Sequence, residues 1–529
     1  MAIKRYIANA DTTITNAFKA DLTTRGTGSN MGLSDSLEVF SIYGQTTSGS
    51  NATKTAELSR ILVNFPASDI ATDRTNKDIP ASGSVSFYLR MFNAEHPFTV
   101  PVNFTLSASA ITADWEEGHG LDMEGYRDLT DDGIGANWMN SADGTTWTRP
   151  GGDYGYDIDS SFQQTFENGI EDLEMDITPL VEQWINSAGN VFADKSSARY
   201  GIGLFLTGTQ EAYWTGAETN GRLSNPTGST KSYYTKKFYA RGSEYFFKRP
   251  IIEARWDSSK KDNRGNFYLS SSLATAADNL NTLYLYNYMR GQLTNIPNLE
   301  GPGSESDVTK TKLDVRIYPT LGEYARTLPV GGGVTEDSDH TYITASYVDT
   351  GIYSASFAYT GSETTIYDVW STGSSTVTIF HTGSAITVKS FNSYNMNPND
   401  TYVTSIPNLR STYSNEETAR FRLFTRKKDW SPTIYTKATA EAQTEIVEDT
   451  YYKVYRIYDD LTVVDYGTGS LNHTRTSYDI SGSYFDLDMS MFRADYMYGI
   501  KLIYYLNGKY TEQPKVFKFR VEKDLTDIE

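Results

Sequence analysis

The sequence predicts an all-β protein built as tandem β-sandwiches, an N-terminal jelly roll followed by two Ig-like sandwiches. Three observations carry this. Short runs rich in β-branched and aromatic residues alternate in character, with polar turns between them. Helical signal is confined to one brief stretch, PLVEQWI. Aromatics make up 13% of the 529 residues, 39 of them Tyr, while charged residues reach only 21%; such a chain has the material for packed cores rather than disorder.

Composition sets the outer bounds. The chain contains no Cys, so disulfides, Cys-ligated zinc and thiol catalysis are excluded. The net charge of −19 disfavours a nucleic-acid partner, since phosphate binding wants a basic surface. It suits solubility instead. The opening residues, MAIKRYIANADTTI, lack an apolar core of the signal-peptide kind. No run approaches 18 apolar residues. The expectation is synthesis in a cytoplasm, with neither signal peptide nor membrane partner.

The elements follow in order. Ile7 to Phe18 reads as an opening strand. Leu37 to Tyr43, Leu58 to Phe65, Val85 to Phe92 and Phe104 to Ile111 are further strands, each a short alternating run. Trp115 to Tyr156 breaks the pattern: it is rich in Gly and Asp and holds Trp115, Trp138 and Trp147. A loop of this length inside a compact domain is usually functional or interface-forming. Its tryptophans are either plugs for the end of the sandwich or exposed contacts for a neighbour or a glycan. Leu173 to Ile177 is a strand, and Thr178-Pro179 opens a short helix with Leu180, Val181, Trp184 and Ile185 on one face. Gly201 to Thr207, Phe238 to Arg241 and Ile251 to Trp256 close the first domain, drawn at 1–257.

The ordered set Asp11-Thr-x-Ile14, Arg60-Ile-Leu-Val-Asn-Phe65, a Trp-Glu loop at Trp115, Tyr200-Gly-Ile-Gly-Leu-Phe205, Tyr239-Ala-Arg241 and Arg249-Pro-Ile-Ile-Glu253 resembles the disaggregatase-related β-sandwich repeats of the DNRLRE type. The resemblance covers about residues 7–257. It implies a jelly-roll module, similar to carbohydrate-binding modules, of surface and secreted proteins. It carries over no sugar-binding residue, and the Trp115–Tyr156 loop is enlarged relative to the family.

Asp257 to Asn263 reads as a charged linker into a second domain, 258–408. Its strands are Phe267 to Leu269, Lys312 to Tyr318, Tyr342 to Val348, Tyr353 to Tyr359, Thr365 to Trp370, Thr376 to His381 and Ile386 to Phe391. Asp349-Thr-Gly-Ile-Tyr353 has the layout of a tyrosine corner, in which the hydroxyl ties a strand to the preceding loop; Ala355 stands where Ig domains place Cys. Gly331 to Gly333 reads as a flexible hinge. A third domain, 409–529, holds Arg420 to Arg426, Tyr451 to Tyr458, Leu461 to Tyr466, Tyr484 to Leu487, Ile500 to Leu506 and Val516 to Val521, with Asn507-Gly508 as a hairpin turn. Tyr455, Arg456 and Tyr458 suit either cross-strand packing or an interface.

No motif identifies a reaction. His96, His119, His340, His381 and His473 lack metal-ligand spacing. Glu116, Glu117, Asp122, Glu124 and Asp128 have the residue types of a glycosidase pair, as does any acidic loop. Asp122, Glu124, Asp128, Asp131 and Asp132 are hard oxygen ligands of the calcium kind, but they miss the EF-hand register, and a solvated loop is the ordinary reading. No cofactor is expected. The whole chain resembles structural proteins of large tailed bacteriophages. That resemblance implies a non-enzymatic virion component at the neck, tail or head surface, meeting copies of itself and other virion proteins. The alternatives are an adhesin for host glycans and, third, a polysaccharide-degrading enzyme.

Overall fold

The computed structural model describes residues 2–19, 23–44, 56–96, 99–121, 134–155, 162–185, 200–218, 221–231, 233–297, 299, 312–324, 326–336, 340–372, 378–390, 401–428, 444–506 and 508–523. The chain divides into two compact units, 2–257 and 258–529.

The first unit holds β1 (Ile3–Ile7), β2 (Ala10–Thr15), β3 (Ser36–Tyr43), β4 (Ala56–Asn64), α1 (Ala67–Thr75), β5 (Ser86–Met91) and β6 (Phe104–Ala110). A small hairpin, β7 (Asn140–Ala142) and β8 (Thr145–Thr146), lies within the long loop. Then come β9 (Gln163–Phe166), β10 (Leu173–Asp176), α2 (Thr178–Ile185), β11 (Ile202–Leu206), β12 (Tyr233–Tyr239) and β13 (Ile251–Arg255). The small sheet runs β1-β13-β5-β10; the large one runs β12-β3-β4-β11-β6-β9, with β2 also on β4. The chain passes repeatedly between the two antiparallel sheets, the jelly-roll habit.

Two apolar layers result. Ile61, Val63, Phe87, Leu89, Phe104, Leu204 and Ile252 fill the space between the sheets. On the large sheet's other face, Ile14, Leu58 and Leu62 are covered by Ala136, Trp138, Trp147 and Tyr154 of the long loop. β4 is therefore buried on both faces from Ala56 to Val63, and its polar residues Glu57, Ser59 and Arg60 are buried with it.

The opening strand predicted from Ile7 to Phe18 takes in the last residue of β1 and all of β2, which lie in different sheets. The break falls at Ala8 and Asn9, whose amides donate to Pro250 O and Asn64 O. Two other predicted strands split the same way. Tyr342 to Val348 divides at buried Ala345, and Arg420 to Arg426 divides at buried Leu423. One residue suffices to switch sheets, and the apolar alternation runs on through it.

The second unit begins with the predicted linker, which is fastened down. Lys260 N donates to Ser477 Oγ, Asp262 N donates to Tyr478 O, and Tyr478 N donates to Lys260 O. Its first sandwich comprises β14 (Phe267–Tyr268), β15 (Asn281–Tyr286), the hairpin β16 (Tyr288–Met289) and β17 (Gln292–Leu293), β18 (Asp314–Tyr318), β19 (Val330–Gly331), β20 (Val334–Glu336), β21 (Thr341–Thr344), β22 (Ser346–Asp349), β23 (Ile352–Tyr359), β24 (Thr365–Thr372), β25 (Thr378–Thr382) and β26 (Ile386–Lys389). One sheet runs β14-β26-β24-β18-β21-β20 and the other β15-β23-β19. Trp370, Phe267, Phe357 and Val315 lie in the core between them. The Gly331–Gly333 segment is a sheet-switching corner rather than a hinge. Gly331 pairs with Ala358 in one sheet and Val334 with Ile343 in the other. The step between is made at Gly332 and Gly333, with φ of 85° and 72°, a region costly for other residues.

The second sandwich comprises β27 (Tyr402–Ser405), β28 (Thr412–Ser414), β29 (Thr418–Arg422), β30 (Phe424–Lys427), β31 (Thr450–Arg456), β32 (Thr462–Val464), β33 (Ser477–Asp479), β34 (Gly482–Asp488), β35 (Tyr496–Leu506), β36 (Lys509–Glu512) and β37 (Phe517–Glu522). β28-β37-β35-β31-β32 form the main sheet, facing β29-β34-β33. Its core is aromatic: Phe485 stacks on Tyr452 at 4.2 Å and on Phe421 at 5.2 Å. β27 pairs with β30, so its pairing lies beyond the boundary drawn at 408.

Candidate functional site

The residues that suggested chemistry in the sequence are used mostly to hold the first unit together. Trp138 is 0% exposed and Trp147 5% exposed. Their indole N–H groups donate to Gly221 O and Asn137 O. Neither ring offers a face to a sugar or a neighbour, so both leave the list of contact candidates: large aromatics in the loop pack because the second face of the large sheet needs a cover. Trp115 is half-buried, and its Nε1 donates to Tyr200 O. The proposed calcium ligands Asp122, Glu124, Asp128, Asp131 and Asp132 lie outside the described residues. Among the described residues, no group of three or more His, Asp or Glu is placed to hold a metal ion.

Three of the weak motifs converge. Asp11 begins the edge of β2, Glu117 follows Trp115, and Arg241 follows β12. Arg241 N donates to Asp11 Oδ2 at 2.5 Å, and Asp11 N donates to Glu117 Oε1 at 3.0 Å. The Arg241 guanidinium grips both Glu117 oxygens, at 3.0 and 2.6 Å. Burial pushes the Asp11 carboxyl up to about 7, with nearby Glu117 adding to the rise and the Arg241 amide and charge offsetting it in part. A raised acid beside a paired carboxylate is an acid–base pattern. Here Asp11 is 1% exposed and both partners are bound to protein groups, so the arrangement works as a clasp between loop and sheet. Glu116, the other acid of this segment, is exposed.

Arg60, from the motif on β4, is a second fastener. It is buried among Trp138, Tyr154 and Phe205, with its guanidinium 5.1 to 5.6 Å from the ring centroids. It pairs with both oxygens of Glu211 and donates to Gly151 O. On the small sheet, Glu253 accepts from Arg5, Arg90 and Arg255. Burial alone would raise this carboxyl, but the three guanidinium groups hold it well below the usual range.

The tyrosine corner is placed differently from the sequence reading. Tyr353 is buried, and its hydroxyl accepts from Ile296 N, 57 positions upstream. Asp349 accepts from the adjacent Thr350 N. The predicted local tie is therefore absent at this pair, because the loop leading into β23 turns at Asp349 without reaching back. The arrangement occurs instead at Tyr498, near the start of β35, where the hydroxyl donates to Arg493 O at 2.8 Å. Asp495-Tyr-Met-Tyr498 lacks the glycine of the usual signature, which hid it.

Exposed aromatic surface gathers on the outer face of the main sheet of the last sandwich. Alternation along β35 sends Tyr498, Ile500, Leu502 and Tyr504 inward and leaves Lys501 and Tyr505 outward. Tyr505 packs on Tyr510 at 4.7 Å, and Lys501 Nζ lies 5.7 Å from the Tyr455 ring. Tyr455 lies across Gly499, where a Cβ would meet the ring at 2.8 Å. Arg456, one residue on, faces inward and grips Asp459. Tyr458 is 85% exposed and touches Tyr496 edge-on. Tyr505 and Tyr510 were missed in the sequence, although the alternation of IYYL separates Tyr504 from Tyr505.

No family model matches the sequence. No curated protein matches it. Among solved structures the chain is similar to a marsupial T cell receptor, at 9% identity over 40% of this chain and a TM-score of 0.15. The match spans 65% of the receptor chain's length. A likeness this low carries no argument.

Proposed function

We propose that the protein is a non-enzymatic structural component of a bacteriophage virion, an exterior accessory at the neck, tail or head surface that assembles through its β-sandwich faces. The observation that supports this reading most is how aromatic residues are used. Tryptophans of the long loop are internal cement, while exposed Tyr505, Tyr510 and Met497 collect on an open sheet face of the last sandwich. Tyr and Met are enriched in interfaces. A second exposed pair, Tyr288 and Met289, sits in the hairpin β16–β17 at 62% and 54% exposure.

The reading is tested by replacing Tyr505 and Tyr510 together with Ser and measuring self-association and binding to virion proteins. At least a tenfold weakening, with the circular-dichroism spectrum unchanged, is expected. The same open Tyr and Lys face also favours a second reading, a glycan-binding adhesin, because tyrosine rings stack on sugars. Unchanged association combined with lost retention on host polysaccharide would establish that reading instead.

A further inference from the structure

We propose that Lys236 and Asn93 are the two ends of an intramolecular isopeptide cross-link that joins the sheets of the first sandwich. Lys236, in β12 of the large sheet, is 0% exposed. Asn93 follows β5 of the small sheet and bridges to Phe238. Lys236 Nζ lies 2.6 Å from Asn93 Oδ1. With a carbonyl bond of about 1.23 Å, Cγ is then within roughly 3.8 Å of Nζ, close to the reach of a near-attack geometry.

The surroundings suit aminolysis. Nζ sits 4.7 and 5.1 Å from the centroids of Phe166 and Phe238. Its other acceptors are the main-chain carbonyls of Gly169 and Glu171, which orient the amine. Burial pushes the lysine down to about 8, with Asp172 and Glu171 offsetting part of the effect; a desolvated lysine amine is an activated nucleophile. Asp172 Oδ1 accepts from Asn93 N and fixes the other reactant. Glu171 Oε2 is buried with no hydrogen-bond partner, and Glu171 is electrostatically coupled to Lys236.

In the reaction the neutral Nζ attacks Asn93 Cγ. The new C–N bond forms as the carbonyl electron pair moves to Oδ1. Glu171 carries one Nζ proton to the carboxamide nitrogen. The adduct collapses, that nitrogen's bond to Cγ breaks, and it leaves as ammonia. Amine plus carboxamide thus give a secondary amide plus ammonia, with no oxidant or cofactor. In a chain with no Cys, the bond closes a segment of 143 positions as a disulfide would elsewhere.

The test is the intact mass of the purified full chain, denatured, followed by proteolysis. The expected mass falls below that of the sequence by one ammonia, with a branched peptide joining Asn93 to Lys236. A full mass would overturn the proposal. So would an ammonia loss confined to Asn93 as a succinimide, with Lys236 in a linear peptide. Lys236→Arg should restore the full mass. Glu171→Gln should leave a mixture of linked and unlinked chains; complete linkage at the original rate would remove Glu171 from the reaction.

Discussion

Asp11 shows how a single carboxyl makes the first unit sensitive to pH. Its folded-state value of about 7 lies above the ordinary 3.8, so the folded unit binds a proton that the unfolded chain does not between those limits. The sign follows: stability from this group is lowest above pH 7 and grows as pH falls toward 3.8. Asp11→Asn should flatten the dependence of the first unit's melting temperature on pH across that window; an unchanged slope would place the effect elsewhere. At Arg60 the question is pairing. Arg60→Met alone should cost about 3–5 kcal/mol by stranding Glu211. Arg60→Met combined with Glu211→Leu should recover much of that loss, which a double-mutant cycle in urea would reveal. Trp138→Ala should cost about 3–5 kcal/mol, more than Trp115→Ala, because only Trp138 is fully enclosed.

Elements were legible in the sequence where one face met the core and the other met water. β15, with Leu283 and Leu285 inward, had such a pattern and went unread. β35 and β37 were found on the same signal. The sheet switches at Ala8, Ala345 and Leu423 were not legible, because alternation records which face is apolar and not which partner strand lies beside it. α1 escaped for another reason. Its sequence, ASDIATDRT, has Ala67 and Ile70 as its buried residues, and its place depends on tertiary ties: Arg74 pairs with Glu182 of α2, and Tyr6 donates to Asp73. The α2 start lies one residue earlier than the sequence suggests, at Thr178 rather than Pro179, and its chemistry differs. Asp176 accepts from Thr178 N, whereas Thr178 Oγ1 accepts from Phe87 N across to β5. Asp176→Ala should therefore cost about 1 kcal/mol through its lost bonds from Thr178 N and Oγ1. Tyr498→Phe should cost about 1 kcal/mol through its lost bond to Arg493 O, both read by thermal unfolding. The candidate site was half legible: Asp11, Glu117 and Arg241 were visible as motif fragments, but their convergence depends on three distant elements.

For the whole molecule, the internal satisfaction of Arg60, Arg241 and Glu253 matters as much as the open faces. These groups stiffen the first sandwich and leave its charge arranged for cohesion, while the last sandwich presents exposed aromatic surface beside paired charges such as Lys501 with Glu512. With a net charge of −19, copies repel one another at long range, and salt within a Debye length of about 10 Å at 0.1 M relieves this. Association should thus strengthen between low and moderate salt, which sedimentation velocity would follow. The most direct test of the structural role is the mass of the purified protein in solution by light scattering, with and without a chelator. A discrete oligomer that a chelator leaves intact is expected. A monomer at micromolar concentration that also ignores virion proteins would contradict it.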